Sequence, residues 1–310
     1  MTKLIFLKPI FHEKIWGGTK LATNFGYDIP SDHTGECWAI SAHKNGDCEV
    51  LTGEFKSMKL STLWQEHREL FGNIEGDVFP LLSKILDASD DLSVQVHPDN
   101  EYGLRVEGEL GKEECWYIID ADADATMIFG HNATTREEFA QMINDGKWKD
   151  LLTEIPVKKG DFFFVPAGTV HALKKGTLVL EIQQSSDTTY RLYDYDRLDD
   201  EGNLRPLHIE KSVDVSTIPH VSTSASPEVK SIQSSTVTTY VESQYFTVSK
   251  YDVCETLELT NDKPFLVISV LEGSGLFNGE AVTKGDHFIV PASMTNLSMT
   301  GNMSLMVGSI

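Results

Sequence analysis

Short runs rich in β-branched and aromatic residues, cut apart by Gly, Pro, Asp and Asn, recur along almost the whole chain. They include DLSVQVH (91–97), CWYII (115–119), TMIFG (126–130), DFFFVPA (161–167), TLVLEIQ (177–183), TYRLYDY (189–195), FTVSKYDV (246–253), PFLVISVLEG (264–273) and HFIVPAS (287–293). Punctuation this dense leaves no room for long helices and predicts a mainly β protein of the sandwich or barrel kind. Helical periodicity is confined to 60–70, with Ser61 or Thr62 as its cap, and to 134–152, a short helical insertion behind a threonine cap with early acids.

At 310 residues the chain can hold two cores. Residues 216–239 carry 12 Ser or Thr in 24 positions together with Pro219 and Pro227, the composition of an exposed connection. That divides the chain into 1–215, the connection 216–239, and a C-terminal piece, 240–310. KGDFFFVPA (159–167) and KGDHFIVPA (284–292) are identical at seven of nine positions. In both, Gly-Asp makes a turn, an aromatic strand follows, and Pro ends its pairing. The first copy continues to His171, whereas the second has Asn296 at that place. The second copy reads as a hairpin without chemistry, and its domain as degenerate.

The polar residues of 93–97 alternate with apolar ones. Ser93, Gln95 and His97 share one face of a strand while Leu92, Val94 and Val96 share the other. The same parity groups Lys112, Glu114 and Trp116, and His171 follows Pro166 at a strand's end. Gln95, His97, Glu114 and His171 together offer two imidazoles, a carboxylate and an amide oxygen. This set suits one borderline divalent metal, zinc foremost, with a position left for water or substrate. The other eight histidines lack partners at ligand spacing and read as structural or solvated.

Forty-seven acidic against 26 basic residues give a net charge of −21, which argues against nucleic-acid and anionic-membrane partners. The N-terminal MTKLIFLKPIF is too short for a signal-peptide core or a membrane span. Four irregularly spaced cysteines, at 37, 48, 115 and 254, read as reduced thiols. A cytoplasmic protein is expected, with a monomer compatible with everything above.

Gly160, Pro166, Gly168 and His171 fit the second cupin motif, and Gln95-Val96-His97 the first, with Gln in place of its first His. PIFHEKIWGG (9–18), GECWAIS (35–41), FPLLSKIL (79–86), SVQVHPDN (93–100), KEECW (112–116), VPAGTVHAL (165–173) and LEIQQSSDTTYR (180–191) are more specific. Through them the sequence resembles the type I mannose-6-phosphate isomerases in their short bacterial form. The resemblance implies two cupin-type β-barrels or jelly rolls, the first with the metal site and a short helical insertion, the second degenerate. It implies Gln95, His97, Glu114 and His171 as metal ligands, Arg191 as the active-site arginine, and Glu181, Lys112 and Lys84 as pocket residues.

The activity so implied is interconversion of mannose 6-phosphate and fructose 6-phosphate through a cis-enediol, with a small sugar phosphate as the ligand. Glu181 stands first as the base, ahead of a metal-bound hydroxide. Arg191 could stabilise enediolate charge or orient phosphate, with Lys84 and Lys112 as local positive charge. If the intervening turn preserves parity, Glu181 and Arg191 share a strand face. The plainer readings are a snorkelling Lys84, an ion pair of Arg191 with Asp194 or Asp196, and a solvated acidic loop over 194–201. Two other activities fit part of the pattern: a sugar-phosphate-binding module without turnover, and a cupin iron oxygenase.

Overall fold

Residues 177–184 point alternately into two different interiors. Val179 belongs to one apolar cluster with Trp16, Leu86, Trp116, Ile118, Met127 and Phe129, whereas Leu178, Leu180 and Ile182 belong to another. A strand covered on both faces needs apolar residues at both parities, which is why TLVLEIQ reads as a nearly continuous hydrophobic run. The computed structural model describes residues 3–199, 202–223 and 226–310. Asp200 and Glu201 of the acidic stretch, and Ser224 and Ala225 of the connection, lie outside them.

Three main antiparallel sheets build the described part. The first has six strands in the order Phe162–Val165, Glu114–Ala121, Thr177–Gln184, Leu81–Ala88, Thr34–Ile40 and Ile10–Gly18. Facing it is a sheet of five strands, Leu152–Pro156, Thr126–His131, His171–Leu173, Val94–Val96 and Tyr190–Tyr193. Between the two lie the Trp116 cluster and the candidate site. The outer face of the five-stranded sheet is covered by helices Arg136–Asn144, Trp148–Leu151 and Ile209–Val215, which contribute Phe139, Ile143, Leu151 and Val213. The outer face of the six-stranded sheet packs Ile85, Cys115, Leu180 and Ile182 against Phe246, Val248, Val267, Ile289 and Met306 of a nine-stranded C-terminal sheet. That sheet wraps a core of its own around Val270, Phe277, Phe288, Met299 and Leu305. The mainly β, two-unit architecture agrees with the expected jelly-roll layout.

The division along the chain differs from the expected one at two places. Strands Glu228–Ile232 and Ser235–Glu242 form a hairpin at the edge of the nine-stranded sheet, so 216–239 is only partly a connection. The Ser/Thr count misleads because Thr there is interspersed with Val and Ile, and β-branched residues suit an edge strand. At the other end of the chain, Ile5–Lys8 pairs with His287–Val290 and joins the C-terminal sheet. The helical segments also shift. Leu60–Glu66 begins without a side-chain cap, and Asp47 rather than Ser61 or Thr62 accepts the free Ser61 N–H at 3.1 Å. In the insertion, Thr135 caps Arg136–Asn144 and Glu138 reaches back to the Thr134 N–H at 2.7 Å, while the left-handed Gly146 separates it from Trp148–Leu151.

His287, expected to be structural or solvated, proves fully buried at the joint between the two units. Tyr27 OH donates to the Gly285 carbonyl (3.0 Å), His287 Nε2 lies 2.7 Å from the Tyr27 oxygen, and Nδ1 lies 2.9 Å from Ser269 Oγ. Burial holds the imidazole down at about 3. A neutral folded imidazole that would titrate at 6.5 when unfolded contributes stability above pH 6.5, lost progressively as pH falls toward 3. At pH 5 the loss from this residue alone is about 2 kcal/mol. Urea midpoints at pH 7 and pH 5 should therefore diverge in the native protein, and the divergence should shrink by the equivalent of about 2 kcal/mol in His287→Gln.

Candidate functional site

His171 opens its strand immediately after the turn containing Gly168. That glycine sits at φ +84°, and an added Cβ would lie 2.5 Å from Thr217 Oγ1, so neither the conformation nor the space admits a side chain. Its N–H donates to the His97 carbonyl at 2.9 Å, tying the turn to the end of Val94–Val96. His171 and Gln95 are paired directly across the five-stranded sheet, and Gln95 is paired in turn with Arg191. Three residues of one transverse row share a face. Opposite them, the six-stranded sheet pairs Trp38 with Lys84, Lys84 with Glu181, and Glu181 with Trp116. The site is the space between these two rows.

The metal-ligating types converge there. His97, Glu114 and His171 are all buried, and their ligand atoms lie within 4.8 Å of one another. His171 Nε2 is 3.2 Å from Glu114 Oε1, and His97 Nε2 is 3.6 Å from Oε2. Both imidazoles donate from Nδ1 to backbone carbonyls, His97 to Thr188 (2.9 Å) and His171 to Thr169 (2.8 Å). With that proton fixed on Nδ1, each Nε2 presents a lone pair to the cavity. Burial keeps both rings neutral, His171 down to about 4 and His97 well below the usual range. Neither oxygen of Glu114 accepts a well-directed hydrogen bond. Gln95 places its amide 3.3 Å from His171 Nε2, and turning the amide end for end presents Oε1 to the same space. Two nitrogen lone pairs and a carboxylate without a well-directed donor are the donor set a borderline divalent cation takes.

Lys112 Nζ lies 2.8 Å from Glu114 Oε2, 3.3 Å from His97 Nε2 and 3.8 Å from Glu181 Oε1. Burial alone would lower its pKa, but the charges of Glu114 and Glu181 raise it. Glu181 is held by the Trp116 indole N–H at 3.0 Å and faced by Lys84 at 3.7 Å. Burial, then the Glu114 charge, pushes its carboxyl up, against the pull of both lysines. Lys84 does not snorkel to the surface; it is 3% exposed and points inward, with Asp187 on its other side at 3.8 Å.

The structure thus brings Gln95, His97, Glu114, His171, Lys112, Glu181 and Lys84 into one chain of contacts. Arg191 stands at the end of the Gln95 row. Its Nη1 donates to the Pro206 carbonyl (2.9 Å), and its Nε is buried without a partner. The ion pair with Asp194 or Asp196 is not formed, because Asp194 is taken by Arg197 and Arg205 at 2.8 and 2.5 Å. Nor does strand parity link Glu181 to Arg191: residues 185–189 carry the chain from one sheet to the other, so the two stand on opposite walls. Asp187 and Trp38 escaped the residue-by-residue reading, although each lies inside a family segment, SSDTTYR or GECWAIS.

Two family profiles match the chain: phosphomannose isomerase type I, catalytic domain, over residues 4–138, and mannose-6-phosphate isomerase, cupin domain, over 236–310. Mannose-6-phosphate isomerase ManA of Bacillus subtilis is 52% identical over 314 residues, covering 100% of this chain and 99% of that one. The chain belongs to the type I mannose-6-phosphate isomerase family. Mannose-6-phosphate isomerase of Streptococcus mutans is likewise 52% identical, over 98% of both chains. The crystal structure of the mannose 6-phosphate isomerase from Bacillus subtilis superposes with a TM-score of 0.97 at 51% identity, covering 100% of each chain. A phosphomannose isomerase variant from Salmonella typhimurium, 15% identical over 99% of each chain with a TM-score of 0.79, shares the fold. For this type I isomerase chain the likeness of fold therefore spans its full length.

Proposed function

We propose that this protein interconverts mannose 6-phosphate and fructose 6-phosphate with one divalent cation, zinc, held by His97, Glu114, His171 and Gln95. The observation that carries this is a buried carboxylate, Glu181, raised in pKa and sharing Lys112 with the metal-ligating group, in a chain of this family. The bound cation supplies Lewis-acid polarisation of the substrate's oxygens. The reaction moves one proton from C2 of the open-chain aldose to C1 of the ketose, and one hydroxyl proton from O2 to O1. Glu181 takes the C2 proton on a carboxylate oxygen and returns it to C1, while the Trp116 N–H keeps its other oxygen in place. Lys112 and Lys84 hold negative charge on the substrate, and the planar fork of Arg191 clamps the enediolate or phosphate oxygens from the opposite wall.

Zinc is favoured by the mixed imidazole and carboxylate set with no thiolate. Among the described residues, no helix is long and apolar enough to cross a membrane, and the setting inferred for the enzyme is the cytoplasm, where it acts on a small sugar phosphate. The deciding experiment is a coupled assay of mannose 6-phosphate conversion before and after chelation, with metal analysis of the active protein. Loss on chelation and recovery with zinc are expected; full activity in metal-free protein would overturn the proposal. Sugar-phosphate binding without turnover would point instead to a binding module. Arg191→Ala should lower kcat/KM by about 10²-fold or more, as for removal of an oxyanion donor, while metal content stays at the native ratio.

A further inference from the structure

We propose that Trp38 is a positioning residue for this reaction, its indole face holding the Lys84 ammonium where it meets the anionic substrate. The inference rests on the isomerase reading above for the substrate's identity. Trp38 is 1% exposed, and its ring face is occupied by the Lys84 ammonium. It is paired with Lys84 across the sheet, and Lys84 Nζ sits 4.7 Å from the ring centroid. The two carboxylates facing that ammonium, Glu181 and Asp187, stand at 3.7 and 3.8 Å, beyond hydrogen-bond distance. A buried cation is thus centred by three neighbours while its N–H donors remain available to a ligand.

The indole is itself fixed from every side. Its N–H donates to buried Glu36 Oε2 at 2.7 Å. Burial pushes the Glu36 carboxyl up, but Lys84, Lys14 and the indole N–H outweigh it and bring it down to about 2, so it is ionised at any physiological pH. Donation to a carboxylate polarises the indole and enriches its face in electron density, which strengthens its hold on a cation. His12 packs on the ring at 4.7 Å and His43 meets it edge-on at 5.7 Å. Gly46 closes the remaining side, where a Cβ would lie 2.6 Å from Trp38 Cε3.

The test is a double-mutant cycle of Trp38→Met and Lys84→Met, with Trp38→Phe as the variant that keeps an aromatic face. It is read as KM and kcat for mannose 6-phosphate and as the calorimetric Kd of fructose 6-phosphate. Trp38→Met should raise KM and Kd about tenfold with kcat within about threefold of native, in line with a partly desolvated cation–π contact. In the Lys84→Met background the same change should add less than about twofold, and Trp38→Phe should recover most of the loss. Equal effects in both backgrounds, or an unchanged Kd, would overturn the inference in favour of plain packing. If Trp38→Met does not fold, Glu36→Gln takes its place, with a smaller rise that must also vanish without Lys84. Native protein that binds fructose 6-phosphate but does not convert it would defeat the isomerase reading while leaving this cycle interpretable through Kd.

Discussion

Glu114→Gln is expected to leave the protein without bound metal after dialysis and to lower kcat/KM by at least about 10³-fold, the several kcal/mol of Lewis-acid stabilisation converted at 1.36 kcal/mol per tenfold. Glutamine nearly preserves the volume, so packing around this fully buried side chain is not what changes. The charge is. In the proposed metal site Glu114 is the anionic donor beside two neutral imidazoles, and it also balances the Lys112 ammonium 2.8 Å away. The variant therefore carries a second signature: a buried lysine that has lost its nearest counter-charge, with Glu181 left at 3.8 Å. Breaking one side of a buried pair typically costs about 3–5 kcal/mol. The urea midpoint should fall accordingly in chelated protein, and a Glu114→Gln/Lys112→Met double variant should regain part of that stability without regaining metal. Native metal content in Glu114→Gln would remove Glu114 from the ligand set.

The same position illustrates why the site could be read from the sequence. Polar residues at alternate positions of otherwise apolar strands, Gln95 and His97 on one sheet and Glu114, Glu181 and Gln183 on the other, have nowhere to go but the space between the sheets. Period-2 patterning survives any detail of tertiary structure as long as the strand itself is continuous. It fails where the chain changes sheets. Glu181 and Arg191 are ten residues apart, yet 185–189 cross between layers and no parity count can span that crossing. The edge hairpin Glu228–Glu242 was hidden for a different reason, since a solvent-facing strand of Thr, Ser and Val has the composition of a loop. Trp38 is invisible in the sequence because its role comes from Lys84 and His12, neighbours distant along the chain, and no local pattern marks an indole that holds a lysine.

The net charge of −21 argues against polyanionic partners and leaves a single phosphosugar open. Lys84 and Lys112 are nearly inaccessible to solvent and sit where screening is weak, whereas the acidic excess is spread over a surface screened within about 8–10 Å at physiological salt. Under the proposed function, a single phosphosugar entering the cavity would meet the two lysines and not the average field.

Glu181→Gln is expected to lower kcat by about 10³-fold, within the range for losing a positioned general base, with metal content unchanged. The pH profile distinguishes this from a loss of packing. Burial and the Glu114 charge raise the Glu181 pKa, and Lys112, Lys84 and the Trp116 N–H draw it back only in part. A base must be deprotonated to accept the C2 proton, so native kcat/KM should fall as pH drops through a value above the ordinary glutamate range of about 4.3. Lys84→Met removes one of the positive charges holding the carboxylate ionised, and the acid limb should move to higher pH. In Glu181→Gln the limb assigned to this residue should vanish, leaving a low residual rate that no longer follows it. Loss of the C2 proton can be followed separately, by exchange of solvent deuterium into the substrate, and that exchange should fall in step with turnover. Exchange at the native rate in Glu181→Gln, or an acid limb that Lys84→Met leaves in place, would move the base to another group and make Glu181 the partner that fixes Lys84 and Lys112.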